Sequence, residues 1–146
     1  MSGTPDSRLE ALQRTLAAEH ATVYVYGVVG GRVPTSTQPT LAEQVASAYV
    51  AHRGRRDQLT AMVRASGGKP VAAEVSYELP TPCRTTPQLR VAARDTEARI
   101  AEVYAAMVGA TSRAQRQWAI DVLADAAVRE LGFGAQAEPF PGVAEL

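Results

Sequence analysis

The sequence predicts an all-α protein, a four-helix bundle of two antiparallel hairpins joined by one long crossover. Apolar residues recur at steps of three and four in four separate segments, which is the spacing of one helix face. Short connections follow the first and third segments, whereas residues 69–85, with three prolines, separate the second from the third. The 146 residues suffice for one domain with an ordinary hydrophobic core.

The first predicted helix covers about residues 8–30 and contains a carboxylate within its apolar stripe. Ser7 and Glu10 form a capping box at its start, and two glycines follow its end. The stripe consists of Leu9, Leu12, Leu16, Val23 and Tyr26. Glu19 fills the one gap in that series. A buried carboxylate is costly unless it is paired, protonated or bound to a metal, so Glu19 is the first candidate functional residue.

The second predicted helix covers residues 41–66, with Thr40 as its cap, and it carries His52 on its stripe. The other members of that stripe are Leu41, Val45, Ala48, Leu59 and Met62. The crossover follows. Its 17 residues, fully extended, reach roughly 55 to 60 Å. A helix of about 25 residues is only about 38 Å long, so the third helix can begin at the opposite end of the bundle.

The third and fourth predicted helices cover residues 87–109 and 113–131. Thr86 and Ser112 are their predicted caps, and an irregular tail, 132–146, follows. The third stripe comprises Leu89, Ala93, Ile100, Val103 and Met107, and the fourth comprises Ile120, Leu123, Ala127 and Leu131. Either Thr96 or Glu97 takes the remaining core position of the third helix. Two short-looped hairpins joined by a long crossover indicate the ferritin-like topology.

The composition disfavours several classes of partner. Fifteen basic and fifteen acidic residues give a net charge of zero, so no overall field attracts nucleic acid. The N-terminal residues lack the features of a signal peptide, and the longest apolar run is too short to span a bilayer. Cys83 is the only cysteine, which excludes an internal disulfide. We therefore expect a cytoplasmic protein that binds neither nucleic acid nor membranes.

Glu19 and His52 lie near the middle of two adjacent helices and are the beginning of a metal site. Di-metal carboxylate bundles use a Glu from each of two helices and a Glu-x-x-His pair from each of the other two. Here Tyr49 stands three residues before His52, and the fourth helix has no histidine. At most Glu97 or Glu102 can be added to Glu19 and His52 as a further metal ligand. We predict that the di-metal centre is lost and that no cofactor binds; the alternative is a reduced iron or manganese site of Glu19, His52 and Glu97.

Three arginines follow His52 and suggest how a buried Glu19 is neutralised. Arg55 and Arg56 lie one turn beyond His52, and a bidentate arginine–carboxylate pair satisfies a buried acid. We therefore predict a polar core of Glu19, His52, Arg55 and Arg56. Alternatively, Arg55 and Arg56 form a pocket for a small anion near Glu19. Arg53 belongs to the same basic cluster.

Four further residues receive simpler interpretations. His20 is offset by about 100° from Glu19 around the helix, so we expect it at the rim of the bundle. Asp121 and Asp125 share one face of the fourth helix and are expected to face solvent. Trp118 lies on their side and indicates a subunit contact, the lid of a pocket or a partly buried core position.

Five short segments resemble one known family. They are residues 18–21, 24–27, 51–53, 55–57 and 139–142, which read AEHA, YVYG, AHR, RRD and PFPG. They resemble DUF4439, a small ferritin-like domain of unknown function found mainly in actinobacteria. The resemblance extends over nearly the whole chain. It implies a ferritin-like fold and a preserved group of Glu19, His52 and Arg56, but no established activity.

The functional prediction is a binding or interaction role rather than a reaction. The incomplete ligand set favours it, and so do aromatic residues beyond those that the core needs. These residues are Trp118, Tyr24, Tyr26, Tyr49 and Tyr104. They predict a homodimer formed through outer helix faces. The sequence assigns no catalytic or cofactor-binding residue, identifies no small-molecule ligand and leaves open whether the protein is an enzyme.

Overall fold

The chain forms four α-helices in the computed structural model, which describes residues 4–143. The helices are α1 (Pro5–Arg32), α2 (Pro39–Ala65), α3 (Thr86–Ala110) and α4 (Arg113–Gly132). The described residues include no β-strand. The predicted all-α fold class is therefore confirmed. None of the described helices combines the length and apolar character that a bilayer span requires.

Helix α1 begins three residues earlier than the sequence predicts. Thr4 is its N-cap, and the Thr4 hydroxyl accepts a hydrogen bond from the Ser7 backbone N–H at 3.3 Å. Pro5 occupies the first turn, where its missing N–H leaves no bond unmade. The predicted capping box of Ser7 and Glu10 is therefore wrong, because Ser7 already lies inside the helix.

The starts of α2 and α3 shift in the same direction. Pro39 opens α2, which places the predicted cap Thr40 inside the helix. Thr85, rather than Thr86, caps α3, and its hydroxyl accepts a hydrogen bond from the Gln88 N–H at 3.3 Å. In both helices a proline in the first turn sets the start, since its fixed backbone angle already suits a helix.

The helices enclose a core whose polar centre separates two apolar regions. Helix α1 packs against α2 and α3, and α3 packs against α4, whereas α2 and α4 meet only loosely. One apolar cluster lies at the Val29 and Leu41 end, and the other at the Leu12 and Ile100 end. The middle positions of α1, α2 and α3 lie between them and bring polar side chains together.

Helix α4 buries a different face from the one predicted. The sequence pattern placed Ile120, Leu123, Ala127 and Leu131 against the core. In the structure Ala119, Val122 and Ala126 are buried, while Ile120 is 41% exposed and Leu131 is 44% exposed. Leu123 packs partly buried against the core as predicted, but the prediction fails for Ile120 and Leu131, because α4 carries apolar residues on two faces that spacing alone does not distinguish. The alanines let α4 approach α3 closely.

The crossover has no regular secondary structure, as predicted, and it is fastened to α1. The Gln13 side-chain amide donates to the Lys69 carbonyl at 2.6 Å and accepts from the Val71 N–H at 2.9 Å. His20 Nε2 lies 3.0 Å from the Val71 carbonyl oxygen. His20 therefore holds the crossover at the rim of the bundle, away from its centre.

Candidate polar core

Three helices each contribute one ionisable side chain to a fully buried centre. His52 Nδ1 lies 2.7 Å from Glu19 Oε2, and His52 Nε2 lies 3.0 Å from Glu97 Oε1. Each of the three side chains has 0% exposure. The structure thus selects Glu97 over Thr96 for the polar centre, although Thr96 is also buried. Glu102 is exposed and takes no part.

Two buried tyrosines complete this centre. The Tyr104 hydroxyl donates to Glu19 Oε1 at 2.7 Å, and the Tyr26 hydroxyl donates to Glu97 Oε1 at 2.6 Å. The Tyr26 ring also stacks on the His52 ring, with 5.4 Å between their centroids. The five side chains form one hydrogen-bonded chain in the order Tyr104, Glu19, His52, Glu97 and Tyr26, which we call the glutamate–histidine cluster.

The two tyrosines could have been found in the sequence through a repeated spacing. Glu19 and Tyr26 stand seven residues apart on α1, and Glu97 and Tyr104 stand seven apart on α3. Seven residues are nearly two helical turns, so each pair lies on one face. Each tyrosine donates to the glutamate of the other helix. Apolar periodicity alone indicates Tyr26 as a core residue and Tyr104 as a surface aromatic residue, so neither was predicted as a site residue.

The cluster stabilises the protonated form of His52. Burial by itself lowers the pKa of His52, because it disfavours the charged ring. The charge and hydrogen bond of Glu19, followed by those of Glu97, outweigh burial and raise the pKa of His52 from 6.5 to about 9. At neutral pH both ring nitrogens therefore carry protons and donate to carboxylates.

The tyrosines stay neutral for a related reason. Burial raises the pKa of Tyr26 and of Tyr104 well above 10, and the adjacent carboxylates Glu97 and Glu19 raise it further. A phenolate in either position would lie beside a carboxylate in a region from which water is excluded. Both hydroxyls therefore stay protonated at neutral pH and act as hydrogen-bond donors.

A second charged group occupies the space between α2 and α4, which we call the α2–α4 seam. Arg55, only 8% exposed, donates to Asp125, and Arg129 Nε donates to the same Asp125 oxygen at 2.8 Å. Burial raises the pKa of Asp125, but the hydrogen bonds and charges of the two arginines outweigh it and hold that pKa below its usual value. The seam is thus a bridge of two arginines and one aspartate.

The predicted pairing of Glu19 with an arginine is wrong. Arg55 reaches α4 instead of α1, because the loose packing between α2 and α4 leaves room for its long side chain. Arg56 pairs with its neighbour Asp57 at the surface, at 2.9 Å. Arg53 lies over a tyrosine ring. Since Arg55 and Arg56 have separate partners, the predicted anion pocket of both beside Glu19 does not form.

The structure changes one interpretation of α4 and selects one of the alternatives for Trp118. Asp125 is half-buried in the seam and does not face solvent as predicted, whereas Asp121 is exposed. Trp118 packs edge-on against the Tyr104 ring, with centroids 5.6 Å apart, and its Nε1–H donates to Gln58 at 3.1 Å. Trp118 is therefore a half-buried core residue that shields one end of the cluster.

The core does not supply the ligands of a di-metal centre. Such centres need four glutamates and two histidines from four helices. Here the carboxylate and imidazole side chains of the cluster are Glu19, His52 and Glu97, and the buried positions of α4 are Ala119, Val122 and Ala126. Within residues 4–143, no three histidine, cysteine, aspartate or glutamate side chains are arranged to hold a metal ion. The residues present do not fit a di-metal centre.

The topology of two helical hairpins joined by one long crossover defines a ferritin-like fold. The fold resembles the crystal structure of a ferritin-like, diiron-carboxylate protein from Bacillus anthracis str. Ames, with a TM-score of 0.75 and 17% identity over 91% of this chain and 96% of that one. At that identity the likeness concerns the fold alone.

The chain belongs to the family Domain of unknown function (DUF4439), whose sequence profile matches residues 11–145. It is also similar to a conserved hypothetical protein, rv2844, from Mycobacterium tuberculosis, whose crystal structure has a TM-score of 0.82 and 30% identity over 90% of this chain and 97% of that one. No curated protein matches the sequence significantly. The expected family and the ferritin-like fold are thereby confirmed.

Proposed function

We propose that this protein is a ferritin-like binding protein in which the glutamate–histidine cluster takes the place of the di-metal centre. One observation carries the proposal: both imidazole nitrogens of His52 lie within hydrogen-bonding distance of a carboxylate. A histidine that ligates a metal uses one nitrogen for the metal and donates the other N–H to a second partner. With a pKa of about 9, His52 at neutral pH carries a proton on both nitrogens and has no lone pair to offer.

Charge balance supports a structural role for the cluster. The cluster and the seam together contain three acids and three cations, provided that His52 is protonated. The acids are Glu19, Glu97 and Asp125, and the cations are His52, Arg55 and Arg129. A net charge left in the interior is strongly destabilising. The charges of the group therefore balance without an added cation.

The proposed activity consequently resides on the outer surface, where the bundle presents fixed helix faces to a partner. We propose a homodimer in the cytoplasm, with no part for nucleic acid because the net charge is zero. The aromatic residues from which a homodimer was predicted do not all support it. Tyr26 and Tyr104 are buried in the cluster, and Trp118 packs on Tyr104. Other residues must therefore form the dimer interface.

A second candidate is a metal-dependent enzyme with a reduced iron or manganese site of Glu19, His52 and Glu97. Its support is the other oxygen of Glu97, Oε2, which is buried and makes no hydrogen bond. A cation would satisfy that oxygen. For His52 to join such a site, it must lose a proton and one of its two hydrogen bonds to carboxylates. The balance of charges between the acids and the cations opposes the loss of that proton.

Elemental analysis of the untagged protein distinguishes the two candidates. The purified protein would be measured before and after incubation with iron, manganese and zinc at pH 7.5, alongside His52→Ala and the matched control His20→Ala. We expect less than about 0.1 metal per folded chain in the wild type and in the His20 variant. About one metal per chain that His52→Ala loses and His20→Ala keeps, with helix content retained, would contradict the proposal.

A further inference from the structure

Helix α4 presents an apolar stripe that no described part of the chain fully covers. Ile120 is 41% exposed, Val128 is 66% exposed and Leu131 is 44% exposed, and Ala124 between them is exposed as well. Their steps of four, four and three residues place these side chains on one helix face. We call Ile120, Ala124, Val128 and Leu131 the α4 outer stripe. It extends for about 16 Å at 1.5 Å per residue.

Opposite charges stand at the two ends of this stripe. Arg113 is exposed and is the first residue of α4, about two turns before Ile120. At the other end the tail folds over α4, where Glu138 and Glu130 line one cleft together with Leu131. Burial raises the pKa of Glu130, and the charge of Glu138 adds to that effect. The stripe is thus basic at one end and carries two mutually repelling acids at the other.

We propose that the α4 outer stripe binds a second copy of this chain, with the two α4 helices packed antiparallel about a two-fold axis near Ala124. The antiparallel direction brings Arg113 of each copy to the acidic end of the other, where it relieves the repulsion between Glu130 and Glu138. It also opposes the two helix dipoles, whereas a parallel arrangement would align them and bring like charges together. The small side chain of Ala124 lets the helices approach closely.

This inference rests on the proposed binding role and names its partner. A two-fold interface is self-complementary, so one surface must supply both the basic and the acidic half, as this one does. A helix pair about 16 Å long buries less than the roughly 800 Å² per partner of a standard interface. The dimer is therefore weak, with a Kd on the order of tens of micromolar.

Sedimentation velocity between about 5 and 500 µM, which brackets that Kd, tests the surface. The variant is Val128→Glu, and the matched control is Val50→Glu, because Val50 is 69% exposed on α2, outside the stripe. We expect Val128→Glu to weaken dimerisation at least tenfold and Val50→Glu to leave it within threefold of the wild type. A wild type that is monomeric throughout, or two variants that weaken the dimer equally, would overturn the proposal.

Charge reversal tests the direction of packing. Arg113→Glu alone and Glu138→Arg alone should each weaken the dimer, since each places like charges together at both ends of the interface. The double variant exchanges the two charges, so we expect it to recover an affinity within threefold of the wild type. No recovery overturns the antiparallel arrangement. A monomeric, metal-free protein would refute only the dimer, whereas bound metal would refute the proposed function whatever the oligomeric state.

Discussion

A protonated His52 in the core predicts a specific loss of stability at alkaline pH. The unfolded chain has a histidine pKa of 6.5, whereas the folded protein raises the pKa of His52 to about 9. Because the folded-state pKa is the higher one, this stabilisation is fully present below pH 6.5 and is lost as the pH rises through about 9. The difference between these two pKa values corresponds to about 3 kcal/mol of folding stability. About 2 kcal/mol of that stability is lost between pH 7 and 9.5.

Urea unfolding at several pH values between 7 and 9.5 measures this loss, with His52→Gln as the variant that cannot titrate. Removing one member of a buried charged pair typically costs about 3 to 5 kcal/mol, so the variant should be much less stable at pH 7. We expect the gap in unfolding free energy between wild type and variant to narrow by about 2 kcal/mol by pH 9.5. The difference between the two proteins removes the contribution of other titrating groups.

The protonation state of His52 can also be observed directly. The chain has only two histidines, so its imidazole signals in an NMR titration are few, and His20→Gln leaves those of His52 alone. We expect the His52 ring to remain doubly protonated at pH 7.5 and to titrate near pH 9. A ring that titrates at or below 6.5, or a stability gap that does not change with pH, would refute the reasoning from the cluster.

Two further predictions use matched variants. Tyr26→Phe and Tyr104→Phe each remove a hydroxyl donor from a buried carboxylate and should lower the free energy of unfolding in urea by about 1.5 to 3 kcal/mol. The control Tyr24→Phe, outside the cluster, should lower it much less. Equal losses in all three variants would contradict the hydrogen-bond assignment. Arg55→Ala should lower the free energy of unfolding clearly, since it removes the more deeply buried of the two arginines that donate to Asp125. Arg56→Ala, at a partly exposed arginine, should change that free energy by only about 0.5 kcal/mol. The opposite ranking would mean that Arg56 stabilises the core.

Much of the architecture follows from spacing and loop length alone. The three-and-four periodicity identifies four helices, and the long crossover limits them to one arrangement of hairpins. Glu19 and His52 were identified as candidates because each interrupts an apolar stripe. Their partners were not, because a hydrogen bond between helices depends on how those helices are rotated and shifted. Glu97 therefore remained an alternative to Thr96, and Tyr26 was interpreted as an apolar stripe residue.

The incorrect predictions for Arg55 and for the buried face of α4 have a common physical origin: in both, the sequence pattern allows more than one contact, and the packing of the helices selects one. An arginine extends across several helix positions, so Arg55 reaches either α1 or α4 depending on which neighbour packs loosely. Helix α4 has apolar residues on two faces, and only its approach to α3 decides that Ala119 and Ala126 are buried instead of Ile120. Neither outcome is encoded in the local sequence pattern, because both depend on the packing of the other three helices.

The exchange of hydrogen bonds between α1 and α3 has a consequence for how the chain folds. Glu19 belongs to the first hairpin and its tyrosine partner to the second, while Glu97 and its partner are distributed the opposite way. A hairpin formed on its own would leave its apolar face in water and its glutamate without the tyrosine donor, so it lacks the interactions that stabilise the complete bundle. These hydrogen bonds therefore form only when the two halves dock, which also closes the crossover loop, and we expect a fragment containing either hairpin alone to remain largely unfolded.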